Sequence, residues 1–83
     1  MRIQPGHFYS NGAYGRAWGV RLVVAFSLDD ETGEETVRFK GMAGTCRRKT
    51  GECTLDEFLS WARHEVALNE NSWQRIVRGE VQA

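Results

Sequence analysis

The segment AWGVRLVVAFSL, residues 17–28, constrains the fold more than any other part of the chain. Apolar side chains occupy every second position of it: Trp18, Val20, Leu22, Val24, Phe26 and Leu28. Strict alternation over this length predicts a long β-strand with one fully apolar face, because successive side chains of a strand point to opposite sides. The other face carries polar and small residues, so we expect it to be half-exposed.

Further strands are predicted on both sides of this one. Asn11-Gly12 is a strong signal for a type I′ hairpin turn, and it predicts a strand over residues 7–10 and another strand starting directly after the turn. The acidic stretch DDETGEE predicts an exposed turn, and the sequence TVRFKGM predicts a strand after it. Residues 45–48 fit either a fourth short strand or a loop.

The segment TLDEFLSWARHEVAL, residues 54–68, predicts the main helix. Thr54 is a good N-cap, and Glu57 three residues later completes a capping box. Apolar residues then recur at helical spacing, which predicts one buried stripe: Leu55, Phe58, Leu59, Ala62 and Val66. Residues 72–78 fit a short helix, which we favour slightly, or an edge strand.

Sheet-then-helix order in a chain of 83 residues predicts a single α+β domain over residues 1–83. We expect a curved antiparallel sheet of three to five strands over about residues 7–48. The C-terminal amphipathic helix is expected to pack on its apolar face. The many glycines also fit an alternative in which the sheet closes into a small open barrel.

Charge and hydropathy exclude several classes of protein. Lys and Arg number 11 and Asp and Glu number 11, so the whole surface is not a nucleic-acid or membrane footprint. No apolar run approaches the roughly 20 residues of a membrane span, and no signal peptide is evident at the N-terminus. We therefore expect a cytoplasmic protein with no membrane partner.

The cysteines and histidines give little support to a chemical site. Cys46 and Cys53 are separated by six residues, which is not the spacing of a zinc knuckle. A loop-closing disulfide is an alternative, but packing thiols are favoured in a reducing compartment. His64 and Glu65 are neighbours on the predicted helix and would face different ways, while His7 has no evident partner. The sequence thus predicts no metal, no cofactor and no enzyme.

A binding surface is the strongest functional prediction. Aromatic and basic residues are expected to share the outer face of the sheet: Tyr9, Tyr14, Arg16, Arg21, Arg38 and Lys40. A basic loop before the helix would add Arg47, Arg48 and Lys49. Such surfaces bind proteins through packing and bidentate hydrogen bonds, or single-stranded nucleic acids through stacking and phosphate contacts.

We therefore predict a small, non-enzymatic module that binds another macromolecule, most plausibly a protein. The alternative is a nucleic-acid-binding domain of small-barrel type that uses the same face and the same loop. A homodimer joined through an exposed strand edge is compatible with both hypotheses, because unpaired edges readily pair with another strand.

Overall fold

The computed structural model describes residues 1–77 of the chain. Six strands and one α-helix lie within these residues: β1 (Phe8–Ser10), β2 (Gly19–Leu28), β3 (Glu35–Gly44), β4 (Thr50–Thr54), α1 (Leu55–Trp61), β5 (His64–Asn69) and β6 (Ser72–Arg75). One turn of 3-10 helix, Gly15–Ala17, lies between β1 and β2. The predicted α+β class is confirmed, but the sheet has more strands and the helix is shorter than expected.

All neighbouring strands of the sheet are antiparallel, in the order β4-β3-β2-β1-β5-β6. Strands β4 and β6 form the two edges, so the sheet is open and the barrel alternative is wrong. The helix is not C-terminal either, because the hairpin of β5 and β6 follows it. The short strand β1 lies in the interior of the sheet and joins its two halves.

The long strand β2 does not keep its alternating apolar residues on one face. Val24 is an extra residue in β2 with no counterpart on β3. A bulge of this kind reverses the phase of the side chains beyond it. Val23 before the bulge and Phe26 after it both reach the core, while Val24 and Leu28 are exposed. The prediction of one apolar face is therefore wrong, because period-two reasoning assumes an unbroken strand.

Phe58 of α1 is the centre of the hydrophobic core. Its side chain is fully buried, and its ring meets the rings of Tyr9, Phe39 and Trp61 at centroid distances of 5.8, 6.1 and 5.7 Å. The Tyr9 ring meets it edge-on, an arrangement that aromatic quadrupoles favour. The remaining buried members of this core are Ile3, Val23, Val37 and Ala62.

The helix begins where predicted and ends early. Thr54 Oγ1 accepts a hydrogen bond from the backbone N–H of Glu57 at 3.0 Å, and the Glu57 carboxylate accepts one from the N–H of Thr54 at 2.9 Å. The capping box is thus confirmed. Ala62 is already extended, and residues 64–69 form β5 instead of further helical turns. Pairing with β1 buries Val66, so tertiary contacts override a modest helix propensity.

A type I′ turn occurs in the chain, but not at the predicted place. Glu70 and Asn71 have φ angles of 51° and 67°, and they form the two-residue connection between β5 and β6. After β1, by contrast, an eight-residue connection follows. The Asn11 side chain organises it by donating to the carbonyl of Ala17 at 2.7 Å. Residues 72–75 are therefore a strand, and residue 78 lies outside the described residues.

Of the two alternatives for residues 45–48, a short strand or a loop, the structure has the loop. Residues 45–48 form a tight turn in which Arg48 adopts a φ of 66°. The strand comes afterwards, as β4, and pairs with residues 36–40 of β3. This turn folds back over Gly41, whose N–H donates to the carbonyl of Lys49. Arg47 and Arg48 therefore lie on the tight turn between β3 and β4, and Lys49 directly follows that turn.

Candidate functional site

The sheet has one face that lies away from the helix. Cross-strand partners share a face, and one row of them crosses the whole sheet: Thr50, Lys40, Leu22, Phe8, Val66 and Arg75. Tyr9 and Phe39, which contact Phe58 of the helix, are sequence neighbours of this row and point to the opposite side. We call the surface formed by Phe8, Leu22, Arg38, Lys40, Val66, Leu68, Trp73 and Arg75 the open face.

The centre of the open face is apolar. The rings of Phe8 and Trp73 contact each other at 5.1 Å with an interplanar angle of 57°. Both side chains are half-buried and so is Leu22, while Val66 between them is buried. Leu68, opposite Trp73 on β5, is 55% exposed. An aromatic and aliphatic patch of this kind resembles the centre of a protein–protein interface.

The rim of the open face is mainly basic. Arg38 and Lys40 on β3 and Arg75 on β6 are exposed, and within residues 1–77 none of them has a carboxylate at ion-pair distance. Glu52 is the cross-strand partner of Arg38 and adds one acidic group at the edge. The face therefore combines an apolar centre with cations that have no ion-pair partner in the described part of the chain, although the chain as a whole is neutral.

The predicted outer-face residues are divided among several regions. Arg38 and Lys40 lie on the open face as expected. Tyr14, 92% exposed, and Arg16 belong to the connection between β1 and β2 rather than to a strand. The placement of Tyr9 on the outer face is wrong: it is fully buried against the helix, and its hydroxyl donates to the carbonyl of Arg2 at 3.0 Å.

Arg21 also lies on the helix side, because it is the cross-strand partner of Tyr9. Its guanidinium carbon is 4.2 Å from the centroid of the Phe39 ring and 4.1 Å from that of Trp61. The planar cation thus contacts two aromatic rings, which is a favourable arrangement for arginine. Arg47, Arg48 and Lys49 are exposed on the turn nearby, as the prediction of a basic loop implies.

Six residues of the open face were missed: Phe8, Leu22, Val66, Leu68, Trp73 and Arg75. Residues 64–68 read as the end of a helix, because their apolar positions also continue a helical stripe. If residues 64–69 and 72–75 are instead interpreted as strands, Val66 and Leu68 lie on one side of the first strand. Trp73 and Arg75 lie on one side of the second. The alternative of an edge strand over residues 72–78 would have placed Trp73 and Arg75 on the same face of the sheet.

The imidazole of His7 does have a carboxylate partner. Its Nδ1 is 2.8 Å from Oε2 of Glu65, a residue that is buried on β5. The pair links the start of β1 to its neighbouring strand. Within the described part of the chain, no hydroxyl or thiol forms a hydrogen bond with His7. The geometry is therefore that of a pair that joins two strands, and it lacks the nucleophile that a His–carboxylate dyad would activate.

His64 makes the fold sensitive to acid. Burial, with a smaller contribution from the nearby Arg75, lowers the pKa of His64 from its ordinary value of 6.5. The unfolded chain binds a proton at His64 at higher pH than the folded chain does. The contribution of His64 to the free energy of unfolding is therefore fully present above pH 6.5, and it is lost as the pH falls toward the folded pKa. We expect His64→Gln to flatten this part of the pH dependence of the unfolding free energy.

Urea unfolding of the wild type and of His64→Gln, on both sides of pH 6.5, would measure the difference. His7→Gln is the matched control, since it removes the other imidazole. An acid-dependent loss of stability that persists unchanged in His64→Gln would contradict the assignment.

Some further kinds of site receive no support from the structure. Over residues 1–77, no group of three or more His, Cys, Asp and Glu side chains could hold a metal ion. No helix in that range is long and apolar enough to cross a membrane. Both Cys46 and Cys53 are free thiols, so the disulfide alternative is not what the structure shows.

No protein-family model, curated protein or solved structure matches this chain.

Proposed function

We propose that the chain is a small, non-enzymatic binding module whose open face engages an acidic, apolar segment of another protein. The observation that carries this proposal is the half-exposed Phe8–Trp73 pair, surrounded by cations without ion-pair partners among residues 1–77. Apolar anchors supply most of the affinity of such interfaces, while charges at the rim favour a partner of opposite sign.

A protein partner fits the open face better than a nucleic acid does. The rings of Phe8 and Trp73 are tilted against each other rather than displayed flat, as base stacking requires. The aliphatic side chains of Leu22 and Leu68 beside them suit apolar side chains of a protein. A second copy of the chain fits less well, since two-fold pairing of this face would bring its basic rim against an identical rim.

The thiols also support a non-enzymatic, cytoplasmic protein. Burial raises the pKa of the Cys53 thiol, an effect that outweighs the opposing influence of Arg21. The thiolate is the reactive form, so Cys53 is a poor nucleophile at neutral pH. Free cysteines are typical of proteins in reducing compartments.

Selection of random peptides displayed on phage against the immobilised protein would test this proposal. We expect the selected peptides to combine apolar and acidic residues. Charge reversal of the rim, Lys40→Glu with Arg75→Glu, should weaken their binding about tenfold or more, because each change replaces an attraction by a repulsion. Leu68→Asn should weaken binding with little change in melting temperature, since Leu68 is largely exposed.

The matched control is Arg16→Glu with Arg47→Glu, which makes the same charge change at exposed positions away from the open face. Peptides that bind the rim variant as tightly as the wild type would contradict the proposal. So would the selection of basic peptides. Binding of labelled single-stranded oligonucleotides that falls steeply with salt, without any peptide binding, would replace it by the nucleic-acid hypothesis.

A further inference from the structure

A cleft lies on the helix side of the sheet, away from the open face. We call it the Arg21 cleft; its volume is about 270 Å³, and its lining residues are Arg21, Phe39, Thr45, Cys46, Lys49, Thr50 and Trp61. Strands β2 and β3, the last residue of α1 and the tight turn of residues 45–48 meet there. The space exceeds the roughly 30 Å³ that one water molecule occupies in the liquid, so a small ligand fits.

The cation in this cleft is fixed in position and has no ion-pair partner among residues 1–77. The Arg21 guanidinium lies against the rings of both Phe39 and Trp61, and its N–H groups can donate only at its edge. Its Nε atom is buried without a hydrogen-bond partner. No carboxylate of the described residues is within ion-pair distance of Arg21. A partly desolvated cation without a counter-ion is unfavourable, and an anion at its edge would relieve that cost.

The other polar groups of the cleft also suit an anion. Lys49 supplies a second cation, Thr45 supplies a hydroxyl donor, and none of the lining residues is acidic. An immobilised guanidinium favours ligands that accept two parallel hydrogen bonds, which carboxylate and phosphate groups do.

We propose that the Arg21 cleft binds a compact oxyanion, a carboxylate or a phosphate group, held at the edge of the Arg21 guanidinium and by the Lys49 ammonium. The site is independent of the open face, because Arg21 and Lys40 point to opposite sides of the sheet. The protein would then have two surfaces, one for a protein segment and one for a small anionic group.

Two-dimensional ¹H–¹⁵N NMR of the full chain would test this site directly. The buried Nε–H of Arg21 and the indole N–H of Trp61 are the reporters. Titration with inorganic phosphate and, separately, with acetate is expected to shift both signals in a saturable manner. Chloride at the same ionic strength is the control. The stronger of the two ligands identifies whether the group is a phosphate or a carboxylate.

Two single-residue variants locate the binding. Lys49→Gln should weaken the favoured anion about fivefold, the effect of one unit charge at short range in a partly solvated site. Lys40→Gln removes the same charge from the open face and should leave the affinity unchanged. Both side chains are exposed, so neither change should impair folding.

Arg21→Lys keeps the charge and removes the planar donor, and we expect at least about a tenfold loss of affinity, as for the loss of a bidentate pair. Its melting temperature should be recorded with it. If this variant unfolds, the comparison of Lys49→Gln with Lys40→Gln still shows whether the anion binds in the Arg21 cleft. Shifts no larger than those with chloride, or equal weakening by Lys49→Gln and Lys40→Gln, would overturn the proposal.

Discussion

Replacing Phe58 by alanine is expected to lower the free energy of unfolding by about 3–5 kcal/mol, the usual cost of removing a buried phenylalanine. Phe58 is completely buried, and three aromatic rings surround it. The ring also anchors the seven-residue helix to the sheet. A domain of this length has a total stability of only roughly 4–12 kcal/mol, so the change removes a large part of it.

Chemical denaturation followed by circular dichroism would measure this loss. Leu59→Ala is the matched control: it changes the next residue of the same helix, whose side chain is 39% exposed, and we expect a much smaller effect. Equal losses for the two variants would mean that the helix does not depend on Phe58 for its attachment.

Replacing Gly41 by alanine should destabilise the protein by about 1–3 kcal/mol, the range found for overpacking. A Cβ atom at this position would overlap the backbone carbonyl of Cys46 and would lie 2.9 Å from the carbonyl oxygen of Lys49. These carbonyl groups belong to the backbone, so they cannot rotate away from the new Cβ atom as the end of a flexible side chain can. The turn of residues 45–48 would have to move, and the Arg21 cleft would change shape with it.

Gly33→Ala is the comparison that separates overlap from backbone strain. Gly33 has a φ of 74° and open space around it, so its alanine variant has a strained backbone without an overlap. Amide chemical shifts should change around residues 29–34 in that variant, and around residues 44–50 and at the Trp61 indole in Gly41→Ala. An unperturbed Trp61 signal in Gly41→Ala would show that the turn and the cleft are not coupled in this way.

Two local hydrogen-bonding signals in the sequence were read correctly. The capping box at Thr54 and Glu57 involves residues three apart, and it requires no knowledge of the rest of the chain. The exposed acidic turn before β3 was equally local. These features formed as predicted because their partners lie within a few residues.

Apart from the hairpin turn predicted at Asn11-Gly12, the errors concern contacts between distant parts of the chain. The bulge at Val24 is visible only in the register with β3, and it places Phe26 and Leu28 on the opposite side of the sheet from Leu22. Residues 64–69 suit a helix by themselves, but they pair with β1 more than fifty positions earlier. Tyr9 and Arg21 were assigned to the wrong face of the sheet for the same reason, since the face on which each lies depends on the pairing of its strand. The idea of an aromatic and basic sheet face survives as a proposal, with different aromatic residues.

The interior position of β1 determines the order in which the sheet can assemble. The hairpin of β2 and β3 and the hairpin of β5 and β6 each join neighbouring segments, so each closes a short loop. The three-residue strand β1 pairs with β5 only across a long stretch of chain, which is entropically the more expensive step. Completion of the sheet, and with it the row from Thr50 to Arg75, therefore waits for the least local pairing in the molecule. A protein built this way completes its open face at the end of folding, because neither half of the sheet contains that face alone.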